Sequence, residues 1–182
     1  KVPVPKGPMA KPDYKAEPFA SYYRQMLEAY QQADELKDEY AAYNLGKLAK
    51  NGILQPVDLP AAYSHFETAA MRGYPAKSIH FILGKMLENG EGAPVSLREA
   101  AYHYRLAALA GNEDALVSLC RFYSSKPGFS RDWDRALYWL VLLTEQQHRS
   151  GILADSGVAA DIGYVLLQKG DYTTALQYHK EM

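Results

Sequence analysis

The sequence predicts an all-α fold, a stack of antiparallel helix pairs, and three observations lead to this class. First, residues 43–52, "YNLGKLAKNG", align with residues 81–90, "FILGKMLENG", at an offset of 38. Second, residues 61–73, "AAYSHFETAAMRG", align with residues 99–111, "EAAYHYRLAALAG", at the same offset. A period of this size is typical of arrays of helical hairpins. Third, no stretch alternates apolar and polar residues for long enough to indicate a sheet.

The composition excludes several classes of protein. A net charge of −1 provides no basic face to neutralise phosphates, so nucleic-acid binding is not expected. Cys120 is the only cysteine, which excludes an internal disulfide and a zinc site built from several thiolates. No apolar run approaches the roughly 20 residues of a membrane span. Because the chain begins at lysine, we expect that a leader was removed or trimmed.

The chain begins with a segment that differs from the rest. Residues 1–18 contain five prolines and few large apolar side chains, which predicts an extended arm or tether. From Phe19 onward, helix-favouring Ala, Leu, Glu, Gln and Lys dominate. Residues 19–37 are predicted to form an unpaired helix that caps the stack.

The helix starts within the repeats keep a fixed register. A small residue lies in each predicted first helix and an alanine lies early in each second helix, at separations of 16, 16, 16 and 12 residues. A good N-cap residue stands four positions before each alanine, and each cap contributes about 1 kcal/mol by bonding free amide groups. The small residues are Gly46, Gly84, Cys120 and Gly163, the alanines are Ala62, Ala100, Ala136 and Ala175, and the caps are Asp58, Ser96, Asp132 and Asp171.

Three of the small residues are glycines in helix interiors. An interior glycine costs about 1 kcal/mol relative to alanine. This cost is expected where a partner helix crosses closely, so Gly46, Gly84 and Gly163 predict close crossings. Cys120 is small enough to take the same place in the third copy.

The Asn-Gly-Glu-Gly stretch at 89–92 raises the alternative of a phosphate-binding loop. It lacks the Lys-Ser/Thr ending and the preceding strand that a P-loop requires. The same Asn-Gly pair ends the first copy at 51–52. We therefore interpret the stretch as a turn between helices.

Other candidate sites have structural alternatives. His65 and His103 share one repeat slot, which suggests a metal pair, a pH switch or a repeated packing position; two imidazoles alone make a poor zinc site. Cys120 occupies a slot for a small buried residue, not for a reactive thiol. Asp132 and Asp134 suggest an acid/base pair, but we interpret Asp132 as a helix cap and Asp134 as a solvated first-turn acid. We expect no enzymatic activity, no metal and no cofactor.

Residues 83–112, "LGKMLENGEGAPVSLREAAYHYRLAALAGN", resemble a Sel-one-like repeat, a tetratricopeptide relative with a longer loop between its helices. Residues 163–181, "GYVLLQKGDYTTALQYHKE", resemble an ordinary tetratricopeptide unit, which explains the shorter final separation. The resemblance covers residues 38–182 and implies a right-handed α-α superhelix of about nine helices. The implied units are residues 38–74, 75–111, 112–150 and 155–182.

The resemblance also implies which side chains meet a partner. In tetratricopeptide arrays the first helices line a concave surface, and this surface binds protein partners. The implied partner-binding residues combine aromatic side chains with charges of both signs, as protein-binding surfaces do. They are Tyr40, Tyr43, Lys47, Lys50, Phe81, Lys85, Glu88, Asp114, Arg121, Tyr164 and Gln168. For Tyr40 and Tyr43, packing on the capping helix is an equal alternative.

The function implied by the resemblance is a non-catalytic protein-binding module with one protein partner. Short proteins of this kind with a proline-rich start resemble exported bacterial proteins, with a periplasmic location and a membrane tether through a missing N-terminus; a cytoplasmic location is the alternative. The most specific hypothesis is an immunity protein that neutralises a type VI secreted phospholipase. A periplasmic adaptor for secretion or envelope machinery, a spacer that binds through its arm, and a hydrolase are the alternatives.

Overall fold

The computed structural model describes residues 19–53, 55–151 and 156–180. Within these ranges every regular element is an α-helix, which confirms the predicted all-α class. The arm predicted for residues 1–18 lies outside the described residues. The helices are α1 (Phe19–Glu35), α2 (Glu39–Asn51), α3 (Leu59–Met71), α4 (Ala76–Asn89), α5 (Leu97–Leu109), α6 (Glu113–Ser125), α7 (Trp133–Arg149), α8 (Ser156–Lys169) and α9 (Tyr172–Lys180).

The helices after α1 form four hairpins, each with a first and a second helix. The hairpins are α2/α3, α4/α5, α6/α7 and α8/α9, and the helices within one hairpin pack more extensively than those of neighbouring hairpins. Each later first helix also packs on the second helix of the preceding hairpin. Helix α1 packs on α2 and covers the beginning of the stack.

The alanines that set the register in the sequence are buried near the start of each second helix. Ala62, Ala100 and Ala136 are fully buried, and Ala175 is 4% exposed. Alanine brings two helices close together because it adds only one methyl group to the interface. The fixed spacing in the sequence therefore reflects a packing requirement that recurs in every hairpin.

All four predicted N-caps form, and each side chain accepts a bond from the backbone amide three residues later. The cap-to-amide distances are 2.9 Å for Asp58, 3.0 Å for Asp132 and 3.2 Å for Asp171. The bond to Ser96 is longer, at 3.4 Å. Each cap fixes where a second helix begins.

Two of the three interior glycines lie beneath aromatic rings. A Cβ atom added to Gly46 would lie 2.7 Å from the Phe66 ring, and one added to Gly84 would lie 2.7 Å from the Tyr104 ring. The predicted close crossings are confirmed at these two positions, with a ring as the close neighbour. Gly163 differs, because its nearest described neighbour is the Ala175 carbonyl oxygen at 4.0 Å.

The Asn-Gly-Glu-Gly stretch is a turn that follows α4. Gly90 ends the helix with a left-handed backbone (φ 72°), and its amide donates to the Met86 carbonyl. Gly92 also has a positive φ, of 81°, and its backbone lies so close to the Leu59 carbonyl that a side chain would collide with it. The two glycines therefore terminate one helix and press the loop against the preceding hairpin.

Candidate protein-interaction surface

The candidate surface is the outward side of the first helices α2, α4, α6 and α8. The structure places all eleven predicted partner-binding residues on these helices. Their exposure divides them into three groups. Tyr40, Lys47, Lys85, Asp114, Arg121, Tyr164 and Gln168 are exposed, Tyr43, Lys50 and Phe81 are half-buried, and the side chain of Glu88 is only 5% exposed.

A stack of three tyrosines forms the α2 end of this surface. The Tyr43 and Tyr74 rings are parallel, with centroids 4.2 Å apart, and the Tyr40 ring meets Tyr74 edge-on at 5.1 Å. Burial and the neighbouring Tyr43 raise the pKa of Tyr74 to about 12, so its hydroxyl stays protonated. The Lys47 ammonium lies 5.5 Å from the Tyr43 ring centre, within reach of a cation–π contact. Tyr40 and Tyr43 therefore pack on Tyr74, which the sequence analysis did not select.

Lys50 is paired across two hairpins. Its ammonium lies 2.9 Å from the Glu91 carboxylate, in the turn that follows α4. The bond from Lys50 lowers the pKa of Glu91. Both side chains are about one-third exposed, at 36% and 32%, so this pair contributes at most about 1 kcal/mol.

Glu88 is the centre of a charged cluster between α4 and α6. Its carboxylate lies 2.6 Å from the Lys126 ammonium and 2.9 Å from the Arg121 guanidinium. The Tyr104 hydroxyl donates to the same carboxylate at 2.6 Å. We call these four residues the Glu88 cluster. Its carboxylate already has donors on three sides and joins two hairpins, so Glu88 acts within the stack.

The Glu88 carboxyl group remains ionised at neutral pH. Burial opposes ionisation of Glu88, but the bonds from Lys126 and Tyr104 and the charge of Arg121 outweigh it and lower the pKa of the carboxyl group. Burial and, after it, the hydrogen bond to the Glu88 carboxylate raise the pKa of Tyr104. Because the folded-state pKa of Glu88 is depressed, its contribution to stability is present above pH 4.5 and is lost as the pH falls below that value.

His103 contacts His80, a residue outside the repeat slot that His103 shares with His65. The Nδ1 atoms of His80 and His103 are 3.0 Å apart, so in the neutral pair one donates and the other accepts. Burial and the nearby His80 lower the pKa of His103 to about 4, although Glu99 acts in the opposite direction. Burial also lowers the pKa of His80. The pair is therefore neutral at pH 7.

We expect the free energy of unfolding to fall by about 1–2 kcal/mol between about pH 7.5 and about pH 5 because of this pair. The unfolded histidines bind protons near their ordinary pKa of 6.5, whereas the folded pair resists protonation. Urea denaturation at both pH values measures the effect. A variant carrying His80→Gln and His103→Gln should show a flatter pH dependence, and an unchanged slope would contradict the assignment.

The remaining candidates for chemistry have structural roles. Cys120 is buried, and burial raises the pKa of its thiol to about 11, so the reactive thiolate is scarce. Asp132 caps α7, and Asp134 pairs with Lys169. In the described part of the chain, no three His, Cys, Asp or Glu side chains are grouped so that they would hold a metal ion. No described helix is both long and apolar enough to cross a bilayer.

Comparison with known proteins identifies a matching repeat family and two solved structures of similar architecture. The Sel1 repeat model matches residues 39–74 and 80–112. A crystal structure of a Sel1 repeat protein from Oxalobacter formigenes has a TM-score of 0.67 at 24% identity, over 89% of this chain and 65% of that one. A protective antigen present in uropathogenic Escherichia coli strains, displaying an SLR fold, has a TM-score of 0.62 at 22% identity, over 85% of this chain and 32% of that one. No curated protein sequence matches this chain.

These similarities establish the architecture. The chain spans less than two thirds of either matched structure, and identities below one quarter support the fold alone. The predicted α-α superhelix is confirmed by the described helices and their repeat register, and by the two similar solved structures. The chain is a helical solenoid in which residues 39–74 and 80–112 match the Sel1 repeat model.

Proposed function

We propose that this protein is a non-catalytic inhibitor that binds one protein partner through the outward side of its first helices. Sel1 repeats generally mediate protein–protein interactions and are typically non-catalytic. In the specific form of the proposal, the protein is an exported bacterial immunity protein that acts in the periplasm. Its partner is a secreted phospholipase of the type VI system.

The exposed side chains on the first helices carry this proposal. Tyr40 and Tyr164 are 53% and 54% exposed at the two ends of the series, although their rings also touch Tyr74 and Trp133. Between them lie Lys47 and Lys85, which are exposed cations. Aromatic side chains surrounded by charges are the usual anchors of a protein interface. A series of four helices offers a standard-sized interface of about 800 Å² per partner.

The internal contacts of the surface favour a rigid binding site. Tyr43 stacks on Tyr74, and Lys50 pairs with Glu91. Glu88 pairs with Lys126 within the Glu88 cluster. These contacts fix the side chains between the exposed anchors before a partner arrives. A preformed surface loses less conformational entropy on binding and so supports tight inhibition.

We expect the purified protein to bind one secreted phospholipase encoded in its own genome with nanomolar affinity and to abolish its activity. Lipid hydrolysis and calorimetric titration measure inhibition and affinity. The double variant Tyr40→Ala/Lys47→Glu should weaken binding by about tenfold or more, because it removes an aromatic anchor and reverses a charge.

The matched control is Tyr102→Ala/Arg98→Glu on the second helix α5. Tyr102 is 55% exposed, close to the 53% of Tyr40, and Arg98 is also exposed. This control should bind as the wild type does. Binding without inhibition would support an adaptor role, and full activity of every candidate phospholipase would refute the immunity role.

A further inference from the structure

A groove in the middle of the stack, between the second helices α5 and α7, contains two arginines, and we call it the arginine groove. Both helices pack on α6, and the space between them has a volume of about 400 Å³. Two of the lining side chains are buried aromatic residues, and the other four are exposed. The lining residues are Arg105, Leu109, Tyr123, Arg135, Tyr138 and Trp139.

The two arginines are incompletely paired. Among the described residues, Arg105 has no hydrogen-bond or ion-pair partner. The Arg135 guanidinium lies 5.4 Å from the Tyr123 ring centre, and its Nε atom is 3.2 Å from the Asp132 carboxylate. Asp132 is the acid nearest to the groove, and its other oxygen already caps α7. The terminal nitrogens of both guanidinium groups therefore remain available to a ligand.

Two further donors line the groove. Trp139 is only 7% exposed, and its indole N–H has no acceptor within the part of the chain that the structure describes. The Tyr138 hydroxyl likewise forms no hydrogen bond to a described residue. None of the lining residues is a carboxylate or an amide. The groove therefore offers an excess of donors and positive charge to an anionic acceptor.

The packing of the repeats does not require these arginines. In the repeat register, Arg105 corresponds to Glu67 of α3, and Arg135 corresponds to Glu99 of α5. The preceding pair of second helices thus has negative charges at the positions where α5 and α7 have positive charges. Because the same fold accepts either sign, the two arginines are free to serve recognition.

The Glu88 cluster shows which group satisfies such a set of donors. There, two cations and a tyrosine hydroxyl surround one carboxylate. The arginine groove has two cations and a tyrosine hydroxyl as well, but its lining lacks the carboxylate. A guanidinium group also matches a carboxylate geometrically, because it can donate two parallel hydrogen bonds.

The occupant of the groove combines negative charge with an apolar side chain. Leu109 is 69% exposed beside the arginines, so it offers an apolar contact. Residues 1–18 contain four lysines and only two acids, Asp13 and Glu17, so their net charge has the same sign as the groove. We propose that the arginine groove binds an acidic segment of a partner protein, which places carboxylates next to an apolar side chain.

The test titrates the full chain with a capped peptide of sequence GELGELGELG and follows the two tryptophan indole N–H signals by NMR. The Trp139 signal should shift with a dissociation constant of about 100 μM at low salt. The Trp133 signal should not shift, because its ring lies against Tyr164 and Arg131. Arg105→Gln should weaken binding by about tenfold or more, because it removes a cation from the groove. The uncharged peptide GQLGQLGQLG should not bind.

The matched control is Arg98→Gln. Arg98 is also an exposed arginine of α5, but it does not line the groove. This variant should bind the peptide as the wild type does, as should Tyr40→Ala/Lys47→Glu, so the result is independent of the proposed inhibitor surface. Circular dichroism verifies that each variant is folded.

Four results would overturn the proposal. They are a Trp139 signal that stays unchanged up to about 5 mM peptide, and equal weakening of binding by Arg98→Gln and Arg105→Gln. A third is saturation of the Trp139 shift by inorganic phosphate at a lower concentration than by the peptide, which would assign the groove to phosphate. The fourth is a dimer, measured by sedimentation, that Arg105→Gln abolishes, which would identify a second copy of the chain as the occupant.

Discussion

Replacing Glu88 by alanine is expected to lower the free energy of unfolding by about 3 kcal/mol. The Glu88 side chain is 5% exposed, and its carboxylate accepts bonds from Lys126, Arg121 and Tyr104. Without it, the Lys126 ammonium, which is 24% exposed, and the buried Tyr104 hydroxyl lose their acceptor. Removing one partner from a desolvated pair leaves the other uncompensated. Chemical denaturation at neutral pH measures the loss.

The control for this prediction is Glu91→Ala. Glu91 also pairs with a lysine across two hairpins, at 2.9 Å, but its side chain is 32% exposed. Water compensates an exposed charge, so this change should lower the free energy of unfolding by about 1 kcal/mol or less. Similar losses for Glu88→Ala and Glu91→Ala would show that burial does not explain the effect.

Two glycines from the same repeat slot are expected to respond in opposite directions to replacement by alanine. Gly84→Ala should lower the free energy of unfolding by about 2 kcal/mol, because the new Cβ atom would lie 2.7 Å from the buried Tyr104 ring. Gly163→Ala should raise it by about 0.5–1 kcal/mol, because alanine favours the helix and the nearest described atom is 4.0 Å away. Thermal and urea denaturation measure both shifts.

The Tyr104 ring offers a direct test of this cause. Its neighbours Phe81 and Phe122 lie 5.7 Å and 5.5 Å away between ring centroids, so the ring has little room to move. In a Tyr104→Ala background, Gly84→Ala should lose most of its destabilising effect, with the Ala100 carbonyl oxygen at 3.3 Å as the remaining close neighbour. A persistent loss in that background, or shifts of the same sign for Gly84→Ala and Gly163→Ala, would contradict the packing explanation.

The fold was predictable because the residues that define it repeat in the sequence. Asp58, Ser96, Asp132 and Asp171 each specify a helix start through a bond that spans only three residues. The buried alanines and the interior glycines mark contacts between helices that recur in successive hairpins. Local and periodic features can be recognised in a single sequence. The helix caps, the alanines and the glycines are features of this kind.

The candidate site was predictable only in outline. The repeat register placed the selected residues on the first helices, but it did not reveal their partners. Tyr74 lies between helices and outside the repeated slots, so no pattern linked it to Tyr43. Glu88 looked like an exposed charge because its distance in sequence from Lys126 hides their contact. Pairing between hairpins depends on how the stack curves, and no single repeat encodes that curvature.

The hydrogen bonds and ion pairs between hairpins also determine the order in which the hairpins unfold. Glu88 joins α4 to α6, Lys50 joins α2 to the turn after α4, and Gln146 on α7 donates to the Gly111 carbonyl at 2.9 Å. Unfolding one central hairpin would leave polar groups in the neighbouring hairpins without their hydrogen-bond partners. We therefore expect the central hairpins to unfold together, as one cooperative unit. The last hairpin is tied to the rest by Lys169 and by an Asp134 side chain that is 82% exposed. Water competes for an exposed ion pair, so we expect α8/α9 to open more readily than the central hairpins.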